Sequence, residues 1–146
     1  MNHPRPTVSH DTQAGTQFEI RLDTDPFWLS PLRAFVTDLA ARADFDDATA
    51  ADLRLAVDEA HSAMITAAAD GEDVIGRFAL ADGLITVSVE LTPSPLRARR
   101  TVPTDTFSWK VLRGMADEVE LVPDGVHSTL GIRLTKARAG VRLRRW

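Results

Sequence analysis

A two-layer α+β sandwich, one mostly antiparallel sheet with helices over one face, is the fold class this sequence predicts. Three observations predict it. Short segments with apolar residues at every second position recur along the chain, and between them lie segments with apolar residues at helical spacing. The order is strand, helix, helix, strand, strand, helix, strand, strand, with no internal repeat and no linker. At 146 residues, of which 44% are hydrophobic and 26% charged, the chain has the size and composition of one globular domain, which excludes disordered and fibrous classes.

Residues 1–16 mix Pro, His, Ser, Thr and Gly and are expected to be a mobile leader. Phe18, Ile20 and Leu22 alternate with Glu19 and Arg21, the pattern of a half-buried strand. Thr24 or Asp25 can cap a helix whose first turn holds Pro26 and whose apolar stripe is Leu29, Leu32, Phe35, Val36 and Leu39. Asp46 or Asp47 caps the next helix, which the spacing extends to about Ala69, where Asp70-Gly71 breaks it. Val74, Gly76, Phe78 and Leu80, then Ile85, Val87, Val89 and Leu91, read as a hairpin around the turn Ala81-Asp82-Gly83. The proline-rich stretch 93–106 is a loop. Helical spacing returns over 107–118 through Val111, Leu112 and Met115. Strands over 120–122 and 129–134 flank the turn Pro123-Asp124-Gly125. The domain is thus expected over residues 17–137, with a basic tail over 138–146.

Composition narrows the function classes. No apolar run approaches the ~18 residues of a membrane helix, and the N-terminus has no signal-peptide core, so a cytoplasmic protein without a membrane partner is expected. Cysteine is absent, which removes disulfides, thiolate metal sites and a cysteine nucleophile. His3, His10, His61 and His127 are scattered without ligand spacing, so no metal site built from protein side chains alone is expected. Five of the 17 basic residues fall in the last eleven positions, where there is no acid, leaving 12 basic against 21 acidic residues before them. That acidic body argues for a basic protein partner and against direct nucleic-acid binding. The tail can be a solvated segment or a contact for phosphate, RNA or an acidic patch.

The second helix carries the main candidates. Successive side chains on a helix point about 100° apart, so Asp58 and Glu59 cannot face the same cavity. Arg54 precedes Asp58 by four residues, an exposed ion-pair spacing. Glu59 shares its face with Leu55 and Ala63, and spacing alone leaves open whether it lines a cleft or sits at the edge of the core.

The stretch LRLAVDEAHSAMITAA resembles the second helix of the anti-sigma-factor serine kinases, relatives of the gyrase, histidine-kinase and MutL ATP-binding (Bergerat-like) fold. FSWKVLRGMADEVEL and STLGIRLTK resemble the third helix and last strand of that family, closest to the actinobacterial anti-sigma-F factor branch. The resemblance runs from about Phe18 to Lys136. It implies that Glu59 stands where the family has a general base for the attacking serine hydroxyl. It also puts Ala63 where the family has an asparagine that holds Mg²⁺ between the ATP phosphates. A methyl group cannot ligate Mg²⁺, which binds through oxygen. The family's D-x-G-x-G loop is replaced by Thr92-Pro93-Ser94-Pro95, so Glu90, which precedes that place, is given no adenine role. Its glycine-rich lid is replaced by Thr104-Asp105-Thr106-Phe107-Ser108-Trp109.

The expectation is therefore an anti-sigma factor that sequesters a stress-response type sigma factor, with a degenerate nucleotide site, Glu59 as a vestigial base and no cofactor. The resemblance further implies a homodimer that docks its partner through the first helix, where Trp28 and Arg33 are the candidates. The alternative is an active ATP-dependent serine kinase that phosphorylates an anti-anti-sigma factor, with Glu59 as base and Mg²⁺ held by a neighbour such as Ser62.

Overall fold

The computed structural model describes residues 7–11, 15–92, 102–124 and 129–143. Six strands form one sheet: β1 (Thr7–Asp11), β2 (Thr16–Leu22), β3 (Val74–Ala81), β4 (Leu84–Leu91), β5 (Glu118–Asp124) and β6 (Thr129–Ala137). Their order is β1-β2-β3-β4-β6-β5, and every neighbouring pair is antiparallel. Among the described residues three α-helices, α1 (Leu29–Arg42), α2 (Asp47–Ala67) and α3 (Phe107–Met115), with a 3-10 turn over Pro26–Trp28 ahead of α1, complete the two-layer α+β sandwich.

The period-2 alternation of the strands decides which face the helices cover. Ile85, Val87, Val89 and Leu91 of β4 and Leu130, Ile132 and Leu134 of β6 are buried on the helix side. On the opposite face Arg77 bonds Glu19 at 3.3 Å and Glu90 at 2.8 Å, and Arg133 bonds Glu120 at 2.9 Å. Asp82 (φ 55°) and Gly83 (φ 75°) form the two-residue turn between Ala81 and Leu84, the left-handed pair that an Asp-Gly hairpin loop requires.

The middle helix organises the core. Asp46 caps α2 by accepting from the Thr49 amide at 2.7 Å, and hydrogen bonding from the Thr49 side chain, then from its amide, lowers the Asp46 pKa. From that start α2 packs against α1, α3, β3, β4 and β6. Leu53, Ala56, Val57, Ala60 and Met64 are buried along it, and the small side chains at 56 and 60 let its neighbours approach closely. An edge-to-face run joins the layers beside it: Phe18 meets Phe35 at 5.6 Å between ring centroids, and Phe35 meets Phe78 at 5.1 Å.

Several boundaries differ from the sequence reading. Within the expected leader, Thr7–Asp11 is a strand, held by backbone pairing with Gln17–Arg21 rather than by an apolar alternation. Helix α2 stops at Ala67, and α3 stops at Met115 instead of running to residue 118. Ala116 adopts an extended conformation there, and the Asp117 amide donates to the Thr135 carbonyl at 2.9 Å, which starts β5 early. Pro123 and Asp124 belong to β5 rather than to a turn, and Gly125 lies outside the described residues. Most of the expected loop, 93–101, also lies outside them. Past Ala137 the chain folds back on the β3–β4 turn: the Arg138 amide donates to the Gly83 carbonyl at 2.8 Å. Residues 144–146 lie outside the described residues.

Candidate functional site

The site grows from how α3 begins. Thr106 caps the helix, its hydroxyl accepting from the Trp109 amide at 3.2 Å. With the start fixed, Trp109 and Leu112 fall on the inner side and are buried, whereas Phe107 is 81% exposed. Ser108 then meets α2 and donates to Glu59 Oε2 at 2.8 Å. Beside this bond α2 and α3 leave a cleft of about 360 Å³. Ser62, Ala63, Thr66 and Ala67 line one side, and Val102, Pro103, Thr106, Trp109 and Leu112 line the other. Its surface is mainly hydrocarbon, with hydroxyls as the polar groups.

His61 sits one residue before that wall but does not line the cleft. It is fully buried; its Nδ1 donates to the Val57 carbonyl at 3.0 Å, so the neutral ring carries its lone pair on Nε2. Burial pushes its pKa down to about 4, against the smaller opposing effects of the Val57 carbonyl and the Asp58 charge. Nε2 has no hydrogen-bond partner among the described residues. It faces β3 at Gly76, where an added Cβ would stand 3.2 Å away, so the absence of a side chain there makes room for the ring.

The predicted residues fall in two places. Ala63 lines the cleft with its methyl group, whereas Glu59 does not line it and is joined to it through the bond from Ser108. Arg33 and Trp28 do not line it. Arg33 makes a two-pronged ion pair with Asp58, Nε to Oδ1 at 2.8 Å and Nη2 to Oδ2 at 3.1 Å. This corrects the expected pairing of Asp58 with Arg54, which instead reaches the Thr37 hydroxyl at 3.5 Å. The planar guanidinium of α1 offers a two-point match that a helical neighbour four residues away does not make here. Trp28 is half-buried against the core and stacks edge-to-face on Phe27, which is 60% exposed. Glu90 lies on the open face of the sheet, bonded to Arg77.

The resemblance put Ser108 and Trp109 in the segment that replaces the glycine-rich lid, but the sequence reading named neither the bond from Ser108 to Glu59 nor Val102 in the cleft wall. The cap signal of Thr106 ahead of Trp109 and Leu112 was there to be read. The contact of Ser108 with a residue 49 positions earlier was not. Among the described residues no three His, Asp or Glu side chains gather as metal ligands. No helix there is long and apolar enough to cross a membrane.

An antiparallel sheet under helices is what the resemblance to the gyrase, histidine-kinase and MutL class implies, and here the central helix also sets the Glu59 carboxylate against the start of α3. No family model matches the chain. It is 32% identical over 124 residues to the anti-sigma-F factor RsbW of Mycobacterium tuberculosis, in strain CDC 1551 / Oshkosh and equally in strain ATCC 25618 / H37Rv. Each alignment covers 76% of this chain and 67% of the relative. The chain belongs to the anti-sigma-factor serine kinase family, that of the anti-sigma-F factors.

Proposed function

We propose that this protein is an anti-sigma factor that binds and sequesters an alternative sigma factor of the stress-response type, and that its nucleotide site has degenerated. The kinship with anti-sigma-F factors supports the partner. The observation that supports the loss of nucleotide chemistry is the cleft beside Glu59: a methyl group at Ala63, hydrocarbon walls and, among the described residues, no cationic side chain in its lining. Phosphoryl transfer depends on positioning and on neutralising phosphate charge through a metal and basic groups. Position 63 offers no metal ligand, and among the described residues no basic side chain lines the cleft. Docking through the start of α1 fits the exposed Phe27 beside Trp28, with Arg33 held in place by Asp58. We place the protein in the cytoplasm as a homodimer, with an acidic body suited to a basic partner.

One observation favours the second reading, an active serine kinase acting on an anti-anti-sigma factor. Glu59 already holds a serine hydroxyl at 2.8 Å, within the reach a general base needs. Incubation with Mg·ATP and candidate anti-anti-sigma proteins separates the two. The anti-sigma reading predicts no phosphoserine on them together with capture of a sigma factor in a pull-down. Phosphoserine that disappears in Glu59→Gln establishes the kinase, and failure to capture any sigma factor removes the first reading.

A further inference from the structure

Helix α3 turns a face to solvent on the side away from its buried Trp109 and Leu112. Phe107 and Val111 stand one turn apart on that face, with Gly114 a further turn on. Phe107, at 81%, is the most exposed of the large apolar side chains described. An added Cβ at Gly114 would meet nothing within 4 Å, so a second helix can lie close to the backbone there. Leu55 of α2, 42% exposed, is one turn from Glu59, which the Ser108 bond ties to the start of α3. The other edge of the stripe is basic. Lys110 and Arg113, three residues apart, fall on the side opposite Ser108, and both are exposed.

Charge decides what fits this face. No Asp or Glu lies within α3, and among the described residues the Lys110 and Arg113 side chains make no ion pair or hydrogen bond, whereas Arg33, Arg77 and Arg133 are all bonded to carboxylates. Arg113 shares a groove with Asp117, Glu118 and Glu120, but Asp117 accepts from the Ala137 amide at 2.7 Å and Glu120 is bonded to Arg133 at 2.9 Å, which leaves Glu118. The stretches outside the described residues contain six arginines and no Asp or Glu, so none of them can neutralise α3. Two copies of α3 set face to face would gather four cations. We infer that the outer face of α3 is a docking surface for an acidic amphipathic helix of a partner protein, separate from the start of α1 and not resting on the sigma reading. The partner's apolar stripe lies along Phe107 and Val111 and crosses at Gly114, and its Asp or Glu side chains meet Lys110 and Arg113. A phosphate backbone gains nothing from Val111 and Gly114, and a membrane surface needs a broader apolar face than two side chains.

The probe is a labelled synthetic peptide of about eighteen residues with a Leu stripe at helical spacing and Glu along its flanks, compared with a copy carrying Lys for Glu. Fluorescence anisotropy with the full chain should show saturable binding of the Glu peptide, with a dissociation constant on the order of 100 μM, the weak range of a small interface. The Lys peptide should not bind. Phe107→Ser should weaken the Glu peptide about tenfold. The double variant Lys110→Glu, Arg113→Glu should lose the Glu peptide and take the Lys peptide, a reversal that an unfolded chain would not show. Chemical shifts of the unaltered chain give a reading that depends on no variant: the Glu peptide should move the amides of Phe107, Val111 and Gly114 and leave those of Phe27 and Arg33 in place. The inference is overturned if the Glu peptide does not saturate, if both peptides bind alike, if the shifts lie away from α3, or if the folded double variant keeps its preference. It is equally overturned if an oligonucleotide or anionic vesicles move the α3 signals and the peptide does not, or if sedimentation shows a second copy on this face that Phe107→Ser releases.

Discussion

Replacing His61 by Leu should flatten the acid side of the protein's stability profile. The neutral ring is fully enclosed and its pKa is pushed down to about 4 by burial, from 6.5 for an exposed imidazole. Between those values the unfolded chain takes up a proton at His61 and the folded chain does not. Stability contributed by this site is therefore intact above pH 6.5 and falls as the pH drops, levelling off below about 4. At 1.36 kcal/mol per unit, the difference costs the folded state about 2 kcal/mol at pH 5 and about 3 kcal/mol at pH 4. Leu is close to the ring in volume and removes the unpartnered Nε2. Urea denaturation of both proteins at pH 7, 6, 5 and 4 measures the effect. Carboxylates titrate in both chains and cancel in the difference. The His61→Leu variant should gain on the parent by about 3 kcal/mol between pH 7 and 4. Parallel profiles would refute the assignment of a buried neutral histidine.

Other perturbations test separate parts of the structure. Ser108→Ala takes the donor from Glu59, and because the carboxylate is half-buried and water can replace the bond, denaturant midpoints should show a loss of only about 1 kcal/mol. Amide exchange in the first turn of α3 should quicken in the same variant. Phe78→Ala removes a ring that is 1% exposed and in contact with Phe35, and should cost about 3–5 kcal/mol in the same assay. Gly83→Ala places a side chain at φ 75° with its Cβ 2.9 Å from Val141, so it should lower the melting temperature and release residues 138–143 to faster amide exchange.

Where local rules carried the structure, the sequence was a sound guide. The Asp82-Gly83 turn follows from the left-handed backbone that a two-residue hairpin demands, and the Asp46 cap follows from an orphan amide at the start of α2. The strict alternation of β4 places its four buried residues on the helix face. Tertiary contacts were less accessible. Asp58 has a candidate partner four residues away on its own helix, yet the guanidinium of Arg33 arrives from α1 with better geometry. β1 pairs through its backbone and leaves no apolar pattern to recognise. At the cleft, Glu59 and Ala63 were legible because the helix carrying them resembles a known motif. Ser108 and Val102 reach them from distant parts of the chain, and the buried state of His61 depends on a glycine in the facing strand.

The central claim is that partner binding persists where nucleotide chemistry has been lost. Calorimetric titration of the full chain with purified alternative sigma factors, run with and without Mg·ATP, tests it most directly. Saturable binding of at least one sigma factor, with the same affinity in both buffers and no heat from Mg·ATP alone, is the predicted result. Binding that appears only with Mg·ATP, or no binding to any sigma factor, would contradict it.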